Sequence, residues 1–483
     1  MSPLAPATML IGGEHVPAAS GCTREVLNPA TGAVVGLAPS GAPEDVERAA
    51  TAASEAFRGW SQLQARERAH ILAGASLAVD ARQDEIASIL TAEQGKPLAE
   101  ARGEVSRFGE HMRWCAELAD KLAGSQVPLG DRSLMGLVLR EPIGVVGAIV
   151  PWNHPLTLAR NKLSPALAAG NTMVLKPATT TPLSTLAIAA ALHDGGLPAG
   201  VLNVVVGEGL GTAIVRHALI EKVAFTGSTA TGRQVMAAAA DGLKRLVLEL
   251  GGSDPCIVLD DADLDAAVPA IVRGRFSNCG QTCRGIKRCY VQVGAYEEVL
   301  GRLAREVGAI EVGDGSRPGV RMGPLHTRGQ RDEIEAQLSD ALERGAALLR
   351  GGGRPDGSEH GGGSFFEPTL LTDVPDDARV MREEVFGPLL PVVAITDLDE
   401  GLAKANRSRY GLGASVWTTS AANAWRAVSA FEAGFVWVNS EPSAHYQLPF
   451  GGKKESGLGR ENGLDALADY TEVKSVVFGG LRL

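Results

Sequence analysis

Cysteine is scarce in this chain of 483 residues: Cys22, Cys115, Cys256, Cys279, Cys283 and Cys289 are all there are. Six thiols spread over such a length make no disulfide framework, so reduced cysteines are expected. The spacings C-x3-C and C-x5-C at 279–289 lack a second His or Cys pair, so no structural metal is expected either. Long apolar runs are missing too, with no 18 uninterrupted apolar residues anywhere. The stretch SPLAPATMLIGGEHV after Met1 has neither a charged start nor a long apolar centre, so neither a membrane span nor a secretory leader is read and the cytosol is expected. Basic residues are outnumbered, 46 against 56 acidic for a net charge of −10, and are scattered. That excludes the electrostatic footprint of a nucleic-acid or anionic-membrane binder and leaves small molecules as the expected partners. No tandem repeat and no collagen-like glycine period occur.

What is present is a soluble globular composition, 45% hydrophobic and 21% charged, with 59 glycines that imply many tight turns and close backbone approaches. The length exceeds what one core supports, so two or three substructures are expected. Apolar residues at three- and four-residue spacing from about 43 to 122 predict successive amphipathic helices. SLMGLVLREPIGVVGAIVP predicts a hairpin-like pair of strands near 127–142 and a buried strand at 144–150. The period then alternates: strands at TMVLKP, VLNVVVG, KVAFTG and RLVLELGG, with helices at LSTLAIAAALHDGG, GTAIVRHALI and TATGRQVMAAAA between them. Such alternation implies right-handed crossovers and a parallel, doubly wound sheet. A second series, from PCIVLD to LPVVAITD, predicts another α/β body, joined to the first near 250. The run RGGGRPDGSEHGGG at 350–363 is expected to be an exposed loop.

Five places could carry chemistry. Gly227, Ser228 and Gly232 lie where a strand turns into a helix, a place suited to a phosphate, although a plain capped turn has the same look. Lys176 ends an apolar strand just before Pro177, at the sheet edge where ligands collect, although a lysine there is often simply solvated. Glu249 interrupts an apolar strand before Gly251 and Gly252; desolvation would raise its pKa and suit it to general-base work, unless a buried partner satisfies it. Cys279 and Cys283 flank a loop of small residues able to expose a nucleophilic thiol, and spacing does not choose between them; buried packing is the plain alternative for either. Asn153 has an amide that could hold an oxyanion, or it could merely form the turn before His154-Pro155.

In chain order PWNHP, KPATTTP, FTGSTATG, LELGG, NCGQTC, EEVFGP and PFGGKKESGLGRE, with EQGKP at 93–97 in support, the sequence resembles the NAD(P)-dependent aldehyde dehydrogenase superfamily over nearly its whole length. The resemblance implies an α/β fold of two Rossmann-like domains plus a small β oligomerisation element. Its expected units are 1–123 and 143–250 for the cofactor, 251–452 for catalysis, and 124–142 with 465–483 for assembly into a homodimer or homotetramer. It maps the nucleophile onto Cys283, the base onto Glu249 and the oxyanion holder onto Asn153, with Cys279 at a variable position. Attack by Cys283 on an aldehyde would lead through a thiohemiacetal and a thioester to a carboxylic acid. Cofactor contacts would come from Ile149, Pro151, Trp152, Lys176, Ala178, Thr179, Gly209, Phe225, Thr226, Gly227, Ser228, Gly232, Leu250, Glu384 and Phe386, with Glu384 on the nicotinamide ribose and Phe386 against the nicotinamide.

Three departures from the family pattern matter. Thr179 stands where NAD-specific members often carry Glu, which removes a repulsion toward a 2′-phosphate, so NADP is expected to be accepted alongside NAD. His154 and Asn161 replace residues that are often aromatic or otherwise bulky, so the substrate pocket, with Thr282 and His445 as further candidates, is expected to suit a small polar or hydroxylated aldehyde. His445, Tyr446 and Gln447 precede LPFGG at the expected substrate mouth. The rivals are a CoA-acylating dehydrogenase, against which Glu249 speaks, a catalytically silent relative, against which the intact Cys, Glu and Asn set speaks, and a zinc or redox sensor at Cys279 and Cys283.

Overall fold

A computed structural model describes residues 4–480. The expected helices of the N-terminal quarter form at Pro43–Trp60, Ala65–Ala81, Gln83–Gln94 and Leu98–Leu118. The apolar faces of the last three close over one side of the first large sheet, where Leu72, Val79, Leu90, Phe108 and Met112 are buried together with Leu167 and Leu192, whereas Pro43–Trp60 buries Val46, Ala49 and Ala53 with Ile149 and Phe225 on the other side.

That sheet has eight strands, and its centre is parallel. Leu202–Val204, Thr172–Lys176, Val145–Ile149, Ile220–Thr226 and Arg245–Glu249 lie side by side in that spatial order. The chain winds one way from Val145–Ile149 through Thr172–Lys176, then returns to place Ile220–Thr226 on the other flank. A switch point thus falls between Val145–Ile149 and Ile220–Thr226, the position where open α/β sheets bind ligands. Two predicted elements are shorter than expected. The strand read over VLNVVVG is only Leu202–Val204, and the helix read over GTAIVRHALI is Leu210–Arg216, because Ile220 already belongs to the next strand.

The second sheet has seven strands, among them Asp254–Val258 parallel to Ile286–Gln292, which is parallel to Leu389–Ile395. Beyond the predicted series the chain adds two further parallel strands, Gly413–Trp417 and Phe435–Val438, and two helices, Leu398–Asn406 and Ala421–Ala430. Four N-terminal strands, Met9–Ile11, Glu14–Val16, Thr23–Leu27 and Val34–Pro39, also went unread. In GASVW small residues blur the β pattern, and its five positions are strand because all are buried between neighbours. Leu250–Ser253 links the C-terminal edge of the first sheet to the N-terminal edge of the second, which brings Glu249 and the loop before Ile286 face to face.

The expected strand pair forms at Ser125–Val127 and Leu134–Pro142, and Thr471–Gly479 joins it along nine antiparallel positions. The termini 1–3 and 481–483 of the expected units lie outside the described residues. Among the described residues no helix is long and apolar enough to cross a membrane.

Candidate active site

Five predicted residues share one edge because of register alone. Ile149 pairs with Lys176 on one side and Phe225 on the other, and Thr226 pairs with Glu249, so all stand at the C-terminal ends of adjacent parallel strands. Pro151, Trp152 and Asn153 leave the sheet at the switch point. Beyond Thr226 the helix Thr229–Ala240 opens with Ser228 as its cap, whose Oγ accepts the Thr231 N–H at 3.2 Å. Gly232 lets this helix lie close to the loop below, since a Cβ there would meet Leu250 Cδ2 at 2.4 Å.

Cys283 reaches the same edge from the second sheet. The loop before it runs through three consecutive left-handed residues, Asn278 (φ 49°), Cys279 (φ 56°) and Gly280 (φ 71°). Such backbone persists only where its surroundings hold it. Asn278 N–H donates to the Glu100 carboxylate at 3.1 Å, and its amide donates to Asn153 O at 2.8 Å. Asn153 returns the contact, its Nδ2 donating to Gln281 O at 3.0 Å, while Gln281 Oε1 accepts the His326 N–H at 2.8 Å. The buried Arg275 guanidinium bonds the carbonyls of Val385 and Gly387, tying the loop to EEVFGP. Glycine is obligatory at 280, where a Cβ would stand 2.4 Å from Gly387 O.

These elements enclose a cavity of about 280 Å³ whose wall includes Pro151, Trp152, Asn153, Thr226, Gly227, Ser228, Leu250, Cys283, Glu384 and Phe386, all expected, and Leu158, Gly251 and Gln330, which were not. Trp152 stacks on His326 at 4.6 Å between ring centroids and meets Phe386 edge-on at 5.6 Å. Glu384 accepts the Gly252 N–H at 3.1 Å and pairs with buried Lys287 at 3.0 Å. Other expected residues sit outside this wall. Ile149 and Phe225 are packed in the core beneath it. Lys176, Ala178 and Thr179 are half-buried at the neighbouring strand end, where the Lys176 ammonium donates to Pro177 O at 3.1 Å and to no other group among the described residues. Burial lowers the Lys176 pKa, an effect that Glu208 opposes. Gly209 caps Leu210–Arg216 with φ 72°.

Glu249 is buried, and its Oε1 has no hydrogen-bond partner. Burial first, then the charge of Glu461, holds its carboxyl well above the ordinary range against the pull of Lys162 and Arg460. Lys162 bridges Glu461 and Thr226 Oγ1, and Asn161 donates to Glu461 at 3.0 Å. The Asn161 Nδ2 is thus tied to this network, while its buried Oδ1 has no partner among the described residues. Gly451 leaves room for the base, since a Cβ there would lie 2.9 Å from Glu249 Oε1. Cys283 is half-buried, and its thiol is pushed up to about 12 by burial and then by Glu249, against the cations Arg284 and Lys287. Cys279 is fully buried and its thiol is raised further by burial.

His154 caps the helix Pro155–Ala168. Burial, then Lys96, lowers its pKa to about 4, so it is neutral near pH 7. Lys96 Nζ also donates to Glu104 at 2.5 Å and to Asn153 O at 2.9 Å. Burial pushes the Glu104 carboxyl up, but Lys96 and His154 more than reverse this and hold it well below the usual carboxylate range. Thr282 is buried, while His445 is exposed and contacts Ser443 Oγ at 3.1 Å.

Lys96, Glu104, Lys162, Glu461, Lys287 and Arg275 were missed as site residues. Within their sequence stretches they look like ordinary surface charges, and only EQGKP and GRE, inside family motifs, offered a signal.

The family model for the aldehyde dehydrogenase family matches residues 15–476. The chain is 42% identical over 474 residues to 3-sulfolactaldehyde dehydrogenase of Pseudomonas putida, covering 98% of this chain and 96% of that one. It is 41% identical over 472 residues to the NADP(+) succinate-semialdehyde dehydrogenase of Escherichia coli, covering 97% of each. Among solved structures, an aldehyde dehydrogenase from Brucella melitensis biovar abortus 2308 superimposes with a TM-score of 0.96 at 41% identity, over 99% of this chain and 98% of that one. The chain belongs to the aldehyde dehydrogenase family and is an oxidoreductase that acts on aldehydes with NAD or NADP.

Proposed function

We propose that the chain oxidises a small polar aldehyde to its carboxylic acid, with Cys283 as nucleophile, Glu249 as base and Asn153 as oxyanion holder. The observation that carries this is the meeting of Cys283 and Asn153 on one cavity wall, with the unpartnered Glu249 carboxyl close enough to raise the thiol. Two neighbouring acids with raised pKa values resist holding two negative charges, so a proton leaving Cys283 goes to Glu249 and a single charge remains, on sulfur. Thiolate attack on the aldehyde carbon forms a C–S bond and an oxyanion. An amide has two donors; Asn153 spends one on Gln281 O, and the other, with the Cys283 N–H, is available to the oxyanion.

The residues present fit a dinucleotide: a glycine-opened helix N-terminus at Ser228, an ammonium at Lys176 without a carboxylate partner, and aromatic walls at Trp152 and Phe386. Glu384, held by Lys287, would fix the nicotinamide ribose, and Phe386 the ring. Held there, a nicotinamide would supply the hydride acceptor that oxidation of the Cys283 thiohemiacetal to a thioester requires. Glu249 first gives up to solvent the proton it took from Cys283; as a carboxylate it then accepts a proton from water through its free Oε1, the hydroxide attacks the thioester carbon, and Cys283 leaves as thiolate with release of the acid. Thr179 supports use of NADP.

We also infer the division into units 1–123 with 143–250, 251–452, and 124–142 with 465–483, and a homo-oligomer built on the last. In support, Thr471–Gly479 is an edge strand with Val473 and Val477 each about 60% exposed, a poor edge to leave uncovered. A cytosolic setting suits six free cysteines. The function is tested by reading NADH and NADPH formation over an aldehyde panel. Cys283→Ser should abolish it while Cys279→Ser keeps most of it; equal loss in both would remove Cys283 from its role. Light scattering that shows only a monomer would refute the oligomer.

A further inference from the structure

One face of the helix Leu98–Leu118 meets in turn the cysteine loop, the start of the helix Pro155–Ala168 and the loop that carries Tyr446. Glu100 accepts Asn278 N–H, Glu104 accepts the N–H groups of Leu156 and Thr157, and His111 and Trp114 pack against Tyr446 at 5.7 and 5.3 Å. Spacings of three and four residues put these on one stripe, and Arg107 lies in its middle. Arg107 folds its guanidinium back over Gly103, where a Cβ would be 3.0 Å from Nη1, and its carbonyl accepts from the buried Arg160.

Arg284 comes to the same region from the other side, directly after Cys283, with Nη1 donating to Pro442 O in the loop that carries His445 and Tyr446. Among the described residues neither Arg107, Arg160 nor Arg284 forms an ion pair. Burial, then Arg107, lowers the Arg160 pKa to about 10, and burial lowers that of Arg284, with Cys283 opposing the fall and Arg107 adding to it. The acids that act on them have other partners: Glu104 pairs with Lys96, Glu441 with Arg273 at 2.7 Å, Glu100 accepts the Asn278 N–H and Asp254 the Gly413 N–H. Arg160 Nε is buried without a partner. Arg160 is buried, Arg284 next to the nucleophile is half-buried, and Arg107 beside them is exposed to an incoming ligand; an anion would offset the desolvation of the first two, and guanidinium groups suit planar or tetrahedral oxyanions.

We propose that Arg284 and Arg107 recognise an anionic group, a carboxylate or a sulfonate, at the far end of the aldehyde, so that the substrates are short oxo acids rather than neutral hydroxyaldehydes. Arg160 is a positioning residue that fixes the Arg107 turn. This rests on the aldehyde dehydrogenase reading and names the substrate class for the same thiol. The charge also raises the local concentration of anionic substrate.

The test compares succinate semialdehyde with butanal, a neutral chain of the same length, by kcat/KM with the full chain and NADP. The wild type should favour the anion strongly. Arg284→Gln and Arg107→Gln should each lower the anion-to-neutral ratio by about 10- to 100-fold, mainly through KM, and Arg284→Lys should recover part of it. A second measurement, calorimetric titration with unreactive succinate, needs no turnover: binding should weaken in both Gln variants, with circular dichroism confirming that they fold. A wild-type ratio near one, or a ratio unmoved in both Gln variants, overturns the proposal. If no aldehyde at all is oxidised, the dehydrogenase reading fails instead, and the succinate titration decides this one: loss in the Gln variants supports it, and absent or unaltered binding overturns it.

Discussion

Gly252 lies so close beneath the nucleophile loop that a Cβ built on it would stand 2.7 Å from the Cys283 carbonyl oxygen. Its neighbour Gly251 is equally hemmed in, 2.4 Å from Glu384 Oε2 by the same measure. The two glycines after Glu249 therefore let base, nucleophile and ribose holder converge. Gly252→Ala should displace Cys283 and lower kcat by roughly 100-fold while the far-ultraviolet spectrum is retained. Wild-type turnover in that variant would show slack in the loop.

Glu249→Gln separates the two halves of the reaction. The thioester should still form in one burst of reduced cofactor, seen by stopped flow, while steady-state turnover drops by roughly 100- to 10,000-fold. A normal steady state would assign the base elsewhere.

Glu461 sets when the base is ready. A carboxyl held above its ordinary pKa is protonated at acid pH and becomes a base only as pH rises through the raised value, so the acid limb of kcat should lie above pH 4.5, the ordinary carboxylate value. Glu461→Gln removes a like charge and leaves Lys162 without its anion; both changes lower the Glu249 pKa. The acid limb should move to lower pH, and a shift to higher pH would contradict the network.

Thr179→Glu tests the cofactor side. A carboxylate there should weaken NADP by about 100-fold through repulsion of the 2′-phosphate and leave NAD much less affected, as read by fluorescence titration without turnover. Equal weakening of both would place the 2′-phosphate elsewhere.

The fold was legible where the physics is local. Val145–Ile149 and Thr172–Lys176 are runs of mostly apolar residues that bury on both faces, and Ser228 caps a helix within four residues of itself. Small-residue strands such as Gly413–Trp417 were not legible, because their pairing partners, not their own side chains, make them strands.

By itself the sequence determined the alternation of strands and helices, the glycines that permit close approach, and the ordered motifs that single out Cys283 from Cys279. Tertiary structure alone decided how the site is charged. Lys162 and Glu461 stand 299 positions apart and leave no periodic trace, yet their contact beside Glu249 exists once the sheet edge is built. The same holds for Arg107 and Arg284, which look like ordinary surface arginines in their own stretches. Burial and Coulomb energy depend on distance through space, and distance along the chain does not encode it.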